Sequence, residues 1–348
     1  MVEFLAANLV RAGLGFLAGM ALGYVARRGR FCTLGAIEDA VYAKDTRRLQ
    51  AWALAIGVAM AGLLALVHLA DLDLARTIYV TPRVDLAGAV VGGLLFGLGM
   101  ALVGTCGFGM LLRLGGGDLK ALLGFLVLGI SALMALRGLT GIVRVALFEP
   151  LVLDLAPAPA QTLPALLGLD GSAAIALTLA VAGGFAALAL ASATLRGSPK
   201  LLWTGFGIGA LVAAGFAVTG VIGFDEFDTR RVESFTFVAP LGETILYAAL
   251  ASAYAVDFPV GATLGVIAGA FLAARVGREF YWEAPDDARE LKRHVLGGFL
   301  MGTGGVAAMG CTIGQGVSGV ATLSIASFAA IAAIFAGARV GLYWLVER

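Results

Sequence analysis

The sequence predicts an all-α polytopic membrane protein, an inverted-repeat helical bundle, and three observations carry that expectation. Apolar residues make up 60% of the chain and charged residues 14%, with a mean hydropathy of +0.95, well beyond what a soluble domain carries. Apolar runs of about twenty residues, each long enough for a hydrocarbon core of ~30 Å, recur along almost the whole length. One Gly-rich stretch also occurs twice. GGLLFGLGMALVGTCGFG, Gly92 to Gly109, and GGFLMGTGGVAAMGCTIG, Gly297 to Gly314, align without a gap and place Cys106 and Cys311 at the same position.

The runs fall at residues 4–26, 51–70, 86–105, 119–137, 172–195, 200–221, 258–277, 294–310 and 323–345, about nine transmembrane helices. The first contains Arg11 and no small-residue cleavage site before Arg27, so it reads as a retained helix and not as a signal peptide. Residues 51–70 match 258–277, and 119–137 match 324–342, which extends the duplication beyond the cysteines. Residues 1–137 then form a first repeat of four crossings. Residues 138–196 hold a linker with the joining helix, and 197–348 a second repeat of four. An odd number of crossings separates equivalent points, so the second repeat enters the bilayer upside down, an arrangement whose working site lies at the repeat interface. Lys and Arg concentrate on the side that holds Arg27, Arg28, Arg30, Arg47, Arg48 and Arg113, against Arg76, Arg83, Arg137, Arg144, Arg230 and Arg231 on the other. By the positive-inside rule the first side is cytoplasmic. The expected location is the inner membrane of a bacterial cell, with the N-terminus outside and the C-terminus in the cytoplasm.

Four stretches are apolar or Gly-rich but too short or interrupted to span: Phe31 to Ala43, Gly107 to Leu114, Phe237 to Tyr254 and Thr312 to Val320. They read as dipping helices or loops, although Phe237 to Tyr254 also reads as a tenth crossing kinked at Pro240. Irregular backbone at membrane depth survives only where protein or a watery cavity satisfies it, so these four mark the expected pathway.

Most of the 50 glycines read as close-packing positions between membrane helices. Gly107, Gly109, Gly314 and Gly316 differ because they flank Cys106 and Cys311 at helix breaks, where free N–H groups and a new helix start suit an anion. Cys32 follows Gly15, Gly19 and Gly23 in a similar setting, while Ala239 stands in the fourth corresponding place. Three thiols on separate segments make neither a CxxC redox motif nor a Cys/His metal set, and an odd number cannot all pair. No metal and no cofactor is expected. A thiol is a weak donor and a polarizable weak acceptor, and a row of them offers shallow sites that a soft sulfur anion can enter and leave. Glu243 is the most embedded acid, readable as functional or as a cap of the short helix after Pro240. Arg113 reads equally as an attractor of anions to Cys106 and as a positive-inside residue. His294, among Lys292 and Arg293, reads as solvated surface. A net charge of +1 points to no nucleic-acid partner.

At these residues the chain resembles the YeeE/YedE family of sulfur transport proteins. GRFCTLGA around Cys32, GTCGFG around Cys106 and GCTIGQG around Cys311 are similar to that family's three cysteine motifs, and the likeness runs over essentially the whole length. It implies thiosulfate import, not enzyme catalysis, with Cys32, Cys106 and Cys311 relaying the anion through S–H to sulfur hydrogen bonds. It also implies a cytosolic TusA-like sulfurtransferase as partner. Two other readings stay open. A membrane-embedded persulfide sulfurtransferase would use the same thiols as nucleophiles, and a generic small-anion channel would use the glycine breaks alone.

Overall fold

The computed structural model describes residues 2–156, 158–223, 230–284 and 287–347, with side chains from Asn8 onward. Arg348, one end of the topology expectation, lies outside the described residues. Among the described residues fifteen α-helices follow in order: α1 Val2–Gly29, α2 Thr33–Val41, α3 Arg47–Leu69, α4 Leu86–Val103, α5 Gly107–Gly115, α6 Leu119–Arg137, α7 Leu139–Phe148, α8 Leu163–Leu166, α9 Gly171–Leu190, α10 Ala193–Arg196, α11 Pro199–Ala217, α12 Ala239–Leu250, α13 Phe258–Val276, α14 Ala288–Ala307 and α15 Ile325–Leu342. Among the described residues the β-structure is small, with Arg83–Val84 pairing antiparallel with Leu153–Asp154. The protein is an all-α polytopic membrane protein, and among the described residues eight segments are long and apolar enough to cross a bilayer.

Each of the nine predicted runs is a helix. The run at 294–310 lies in α14, which is not among those eight apolar segments because Arg289, Glu290, Lys292, Arg293 and His294 occupy its first two turns. Packing explains how that polar start is tolerated. Lys120, 7% exposed at the start of α6, holds Glu283 at 3.0 Å and Glu290 at 3.2 Å. His294 is 5% exposed, not solvated surface, and its Nδ1 lies 3.0 Å from the Glu290 carbonyl. One turn of helix brings the ring back over its own backbone, a contact that a charged neighbourhood in the sequence conceals.

Glycines set the helix packing. Gly15, Gly19 and Gly23 of α1 meet the backbone of Phe258, Ala262 and Val266 in α13, while Gly261, Gly265 and Gly269 of α13 meet Ala12, Phe16 and Met20. The two helices therefore run parallel, each offering a small-xxx-small stripe, the device by which membrane helices approach closely without a hydrophobic driving force. Gly205 and Gly209 of α11 seat against Ala51 and Ala55 of α3, again parallel. Gly93 and Gly97 of α4 seat against Ala330 and Ile334 of α15, and Gly298 and Gly302 of α14 against Val127 and Leu128 of α6. Across the middle the sense reverses. Gly92 of α4 meets Gly304 of α14 and Gly99 meets Gly297, and Val25 of α1 faces Gly207 of α11 while Arg11 faces Gly223.

The four short stretches fold as α2, α5, α12 and a π-helix, Gly314–Gly319. α12 is 12 residues long and starts with Pro240 in its first turn, so Pro240 opens that helix and does not kink it. Proline suits this position because the missing N–H would be unpaired there in any case. An extended segment, residues 230–238, leads into α12 and is fastened at depth. Val232 N–H donates to the Arg76 carbonyl at 3.2 Å, the Ser234 hydroxyl to the Val212 carbonyl at 2.7 Å, and the Ser318 hydroxyl to the Phe235 carbonyl at 3.0 Å. Its polar groups are satisfied by protein, as irregular backbone in a membrane requires.

Candidate functional site

Three helices break in the same way, and a cysteine follows each break. Arg30, Gly104 and Met309 have φ of 51°, 80° and 56°, the left-handed conformation that ends a helix, and each stands two residues before a cysteine. Glycine adopts this conformation freely, whereas Arg30 and Met309 hold it at some cost. One residue intervenes in each case, Phe31, Thr105 or Gly310, and the Phe31 ring stacks on Trp52 at 4.6 Å. The chain is then extended at the cysteine, with ψ of 130° at Cys32 and 174° at Cys106, before the next helix begins.

Cysteine then acts as the helix cap. The Cys106 Sγ accepts the Gly109 N–H at 3.4 Å and the Cys311 Sγ accepts the Gly314 N–H at 3.3 Å, the three-residue reach that a serine or aspartate cap uses. Those two N–H groups, expected from the sequence to face an anion, are therefore taken by the sulfurs. Cys311 accepts a second N–H, from Phe237 at 3.2 Å, and the Thr236 hydroxyl stands at 4.0 Å. Cys32 caps nothing with its side chain. All three thiols are free. Cys106 and Cys311 are buried and Cys32 is half-buried. Cys106 lies within electrostatic reach of both other cysteines, so the fold gathers three breaks from distant parts of the chain into one row.

Aromatic rings back this row. Phe108 stacks on Phe237 at 5.0 Å, and Phe235 sits 6.3 Å from Phe237 and 5.5 Å from Phe258. Gly107 leaves room for the Phe237 carbonyl and Gly314 for the Thr236 side chain, so both let the extended segment approach the breaks. Gly109 lies against Thr105, and Gly316 against Ile331 and Trp52.

An arginine-lined cavity lies near each end of the row. Cys32 lines one of about 300 Å³ with Arg27, Arg30, Arg48, Arg113, Thr105 and Gly109. Arg113 is partly committed there, its Nε donating to Asp118 at 2.6 Å, and Arg48 binds Asp39 at 3.0 Å. At the opposite end, a cavity of about 640 Å³ collects Arg76, Arg83, Arg144, Arg230 and Arg231 around Met309, two residues from Cys311. In the sequence these loop charges served only to orient the chain, and the fold draws the arginines together from distant parts of it, with Asp85 and Glu149 among them. Glu243 stands apart from the thiols, in a third cavity of about 550 Å³ with Arg137, Arg230, Glu233 and Asp257. Sequence reasoning missed Glu233, which follows Arg230 and Arg231 closely and reads from the sequence as part of a charged loop. Among the described residues no cluster of His, Cys, Asp and Glu could hold a metal ion.

Comparison with known proteins follows the same residues. The profile of the family described as "Sulphur transport" matches residues 28–340, from just before Cys32 to beyond Cys311. The chain is 28% identical over 319 residues to "Thiosulfate transporter TsuA" of Escherichia coli (strain K12), covering 87% of this chain and 86% of that one. It is also 28% identical over 336 residues to "Thiosulfate transporter TsuA" of Spirochaeta thermophila, covering 92% and 94%. A shorter likeness, 32% over 110 residues, links it to "Probable transporter YedE" of Escherichia coli (strain K12) and covers 31% of this chain.

Proposed function

Because the chain belongs to the Sulphur transport family, we propose that it imports thiosulfate along the row Cys311, Cys106, Cys32. The observation that carries this reading is the row itself, three unpaired thiols with Cys106 in reach of the other two and an arginine-lined cavity near each end. The arginines concentrate the dianion at the mouth, and the thiols replace the water lost by its terminal sulfur. Each N–H that a sulfur accepts occupies a lone pair and turns the S–H toward the solute. No bond to sulfur forms or breaks. Each thiol binds weakly enough to release the anion to the next.

The halves 1–137 and 197–348, joined by 138–196, act in this reading as inverted repeats. In support, the matching helices α4 and α14 pack antiparallel, while α4 with α15 and α14 with α6 pack parallel. The membrane is the bacterial inner membrane, with the Cys32 cavity facing the cytoplasm, where a TusA-like sulfurtransferase takes over the sulfur. Two negative charges entering against an inside-negative potential cost about 4.6 kcal/mol per 100 mV, so consumption inside or a coupled ion must draw the anion in. A persulfide mechanism would need a cation or base beside the attacking thiol. Cys32 lines a cavity with arginines, whereas Cys106 and Cys311 commit their sulfurs to backbone N–H groups.

Uptake of labelled thiosulfate by a sulfur-starved host without its own uptake systems tests the proposal. Thiosulfate is expected to enter and a large excess of sulfate to compete poorly, because an oxygen in place of the terminal sulfur is left under-bonded among thiols. Strong competition by sulfate would instead favour a generic anion channel.

A further inference from the structure

Nine threonines are buried among the described residues, and their hydroxyls fall into two groups. Six donate to backbone carbonyls: Thr77 to Leu74, Thr204 to Lys200, Thr219 to Glu233, Thr244 to Pro240, Thr263 to Pro259 and Thr322 to Gly319, all between 2.6 and 2.9 Å. Thr33, Thr105 and Thr312 do not, and each is bonded in sequence to a cysteine of the row. They are 1%, 3% and 0% exposed. The hydroxyls of Thr33 and Thr312 are both sealed from solvent; that of Thr33 has no partner, and that of Thr312 has only the Cys106 thiol within reach. Thr312 lies beside the Cys106 thiol, and Thr105 lines the Cys32 cavity.

The helix breaks explain why these three stand apart. A threonine inside a helix satisfies its hydroxyl on the carbonyl one turn back, but a residue at a break has no preceding turn of its own helix. Burying an unpaired hydroxyl costs about 1–3 kcal/mol, and valine would fill the same volume without that cost. A buried threonine whose hydroxyl reaches no backbone carbonyl recurs beside all three cysteines, and this points to a partner that is present only during transport. Thiosulfate has two chemically different ends. Its terminal sulfur suits a thiol, whereas its three charged oxygens call for stronger donors, and O–H groups provide them.

We propose, resting on the thiosulfate reading above, that Thr33, Thr105 and Thr312 bind the oxygen end of the anion while the cysteines bind its sulfur end. The test is influx of labelled thiosulfate into vesicles holding purified protein, with Thr312→Val, Thr105→Val and Thr312→Ser compared with the unaltered protein, alongside thermal melting of each. Thr312→Val is expected to raise KM about tenfold without lowering the melting temperature, and Thr312→Ser to restore KM to within about twofold. An unchanged KM in both valine variants overturns the proposal, and so does a rise in KM accompanied by a fall in melting temperature, which would mark the hydroxyl as structural. If the unaltered protein takes up no thiosulfate, the transport reading fails and this inference with it. Uptake by the unaltered protein with indifferent valine variants removes the threonine role alone.

Discussion

The breaks at Cys106 and Cys311 are built from matching sequence, yet they hold their sulfurs differently. Both have a left-handed residue two positions before the cysteine and a glycine N–H on the sulfur three positions after it. Cys311 alone receives a second N–H, from Phe237, delivered by the extended segment 230–238. Cys32, at the other end, receives none from the helix it precedes. The row is thus anchored tightly at the end with five arginines and loosely where it opens beside Arg27 and Arg30. Local sequence makes the break, and a remote segment decides how firmly the thiol is held.

The largest expected effect comes from removing the thiols. Cys106→Ala and Cys311→Ala should each cut thiosulfate uptake by about 10–100-fold, the worth of a buried hydrogen bond lost along with its partner's hydration. Serine at 311 should recover more activity than serine at 106, because two N–H donors hold the replacement oxygen in place where one does not. Equal recovery at the two sites, in the same uptake assay, would show that the second donor has no bearing on transport.

Glycine substitutions test how the extended segment reaches the breaks. A Cβ at Gly107 would stand 2.7 Å from the Phe237 carbonyl, backbone that cannot turn aside, so Gly107→Ala should cost about 1–3 kcal/mol of stability. At Gly314 the obstacle is Thr236, whose hydroxyl can rotate away but whose Cβ at 2.8 Å cannot, so Gly314→Ala should cost a similar amount. Melting of the two variants in detergent measures both, and an unchanged melting temperature at either position would contradict this account of the approach.

The smallest effect separates the two left-handed positions. Gly104→Ala should lose about 1 kcal/mol, since a Cβ in that conformation meets the following carbonyl. Met309→Gly should gain up to a similar amount from relief of the same strain, less what its methionine packing contributed. Comparable losses in both melting curves would mean that the breaks are not equivalent in backbone terms.

Much of the architecture was legible because its causes are local or periodic. Nine helices follow from apolar runs matched to bilayer thickness, and the short segments at Thr33–Val41, Gly107–Gly115 and Gly314–Gly319 from runs too short to span. The aligned motifs put Cys106 and Cys311 at equivalent breaks, since a helix end and a following cap are written within a few residues. Pro240 misled one alternative, since proline inside an apolar stretch can either kink a helix or start one, and sequence alone does not say which. His294 misled another, because burial depends on what packs over a charged run.

Sequence by itself determined the class of protein, the nine long helices and the places where the chain breaks, all of which depend on transfer of side chains to lipid and on neighbours within a turn or two. Only the tertiary structure decided that the three breaks meet, that Phe237 reaches Cys311 across 74 residues of chain, and that arginines from separate loops share a cavity. It also left the hydroxyl of Thr33 without a partner and that of Thr312 with only the Cys106 thiol. These depend on helix packing through glycine faces, where the approach of two backbones, and with it everything placed between them, is set by contacts remote in sequence.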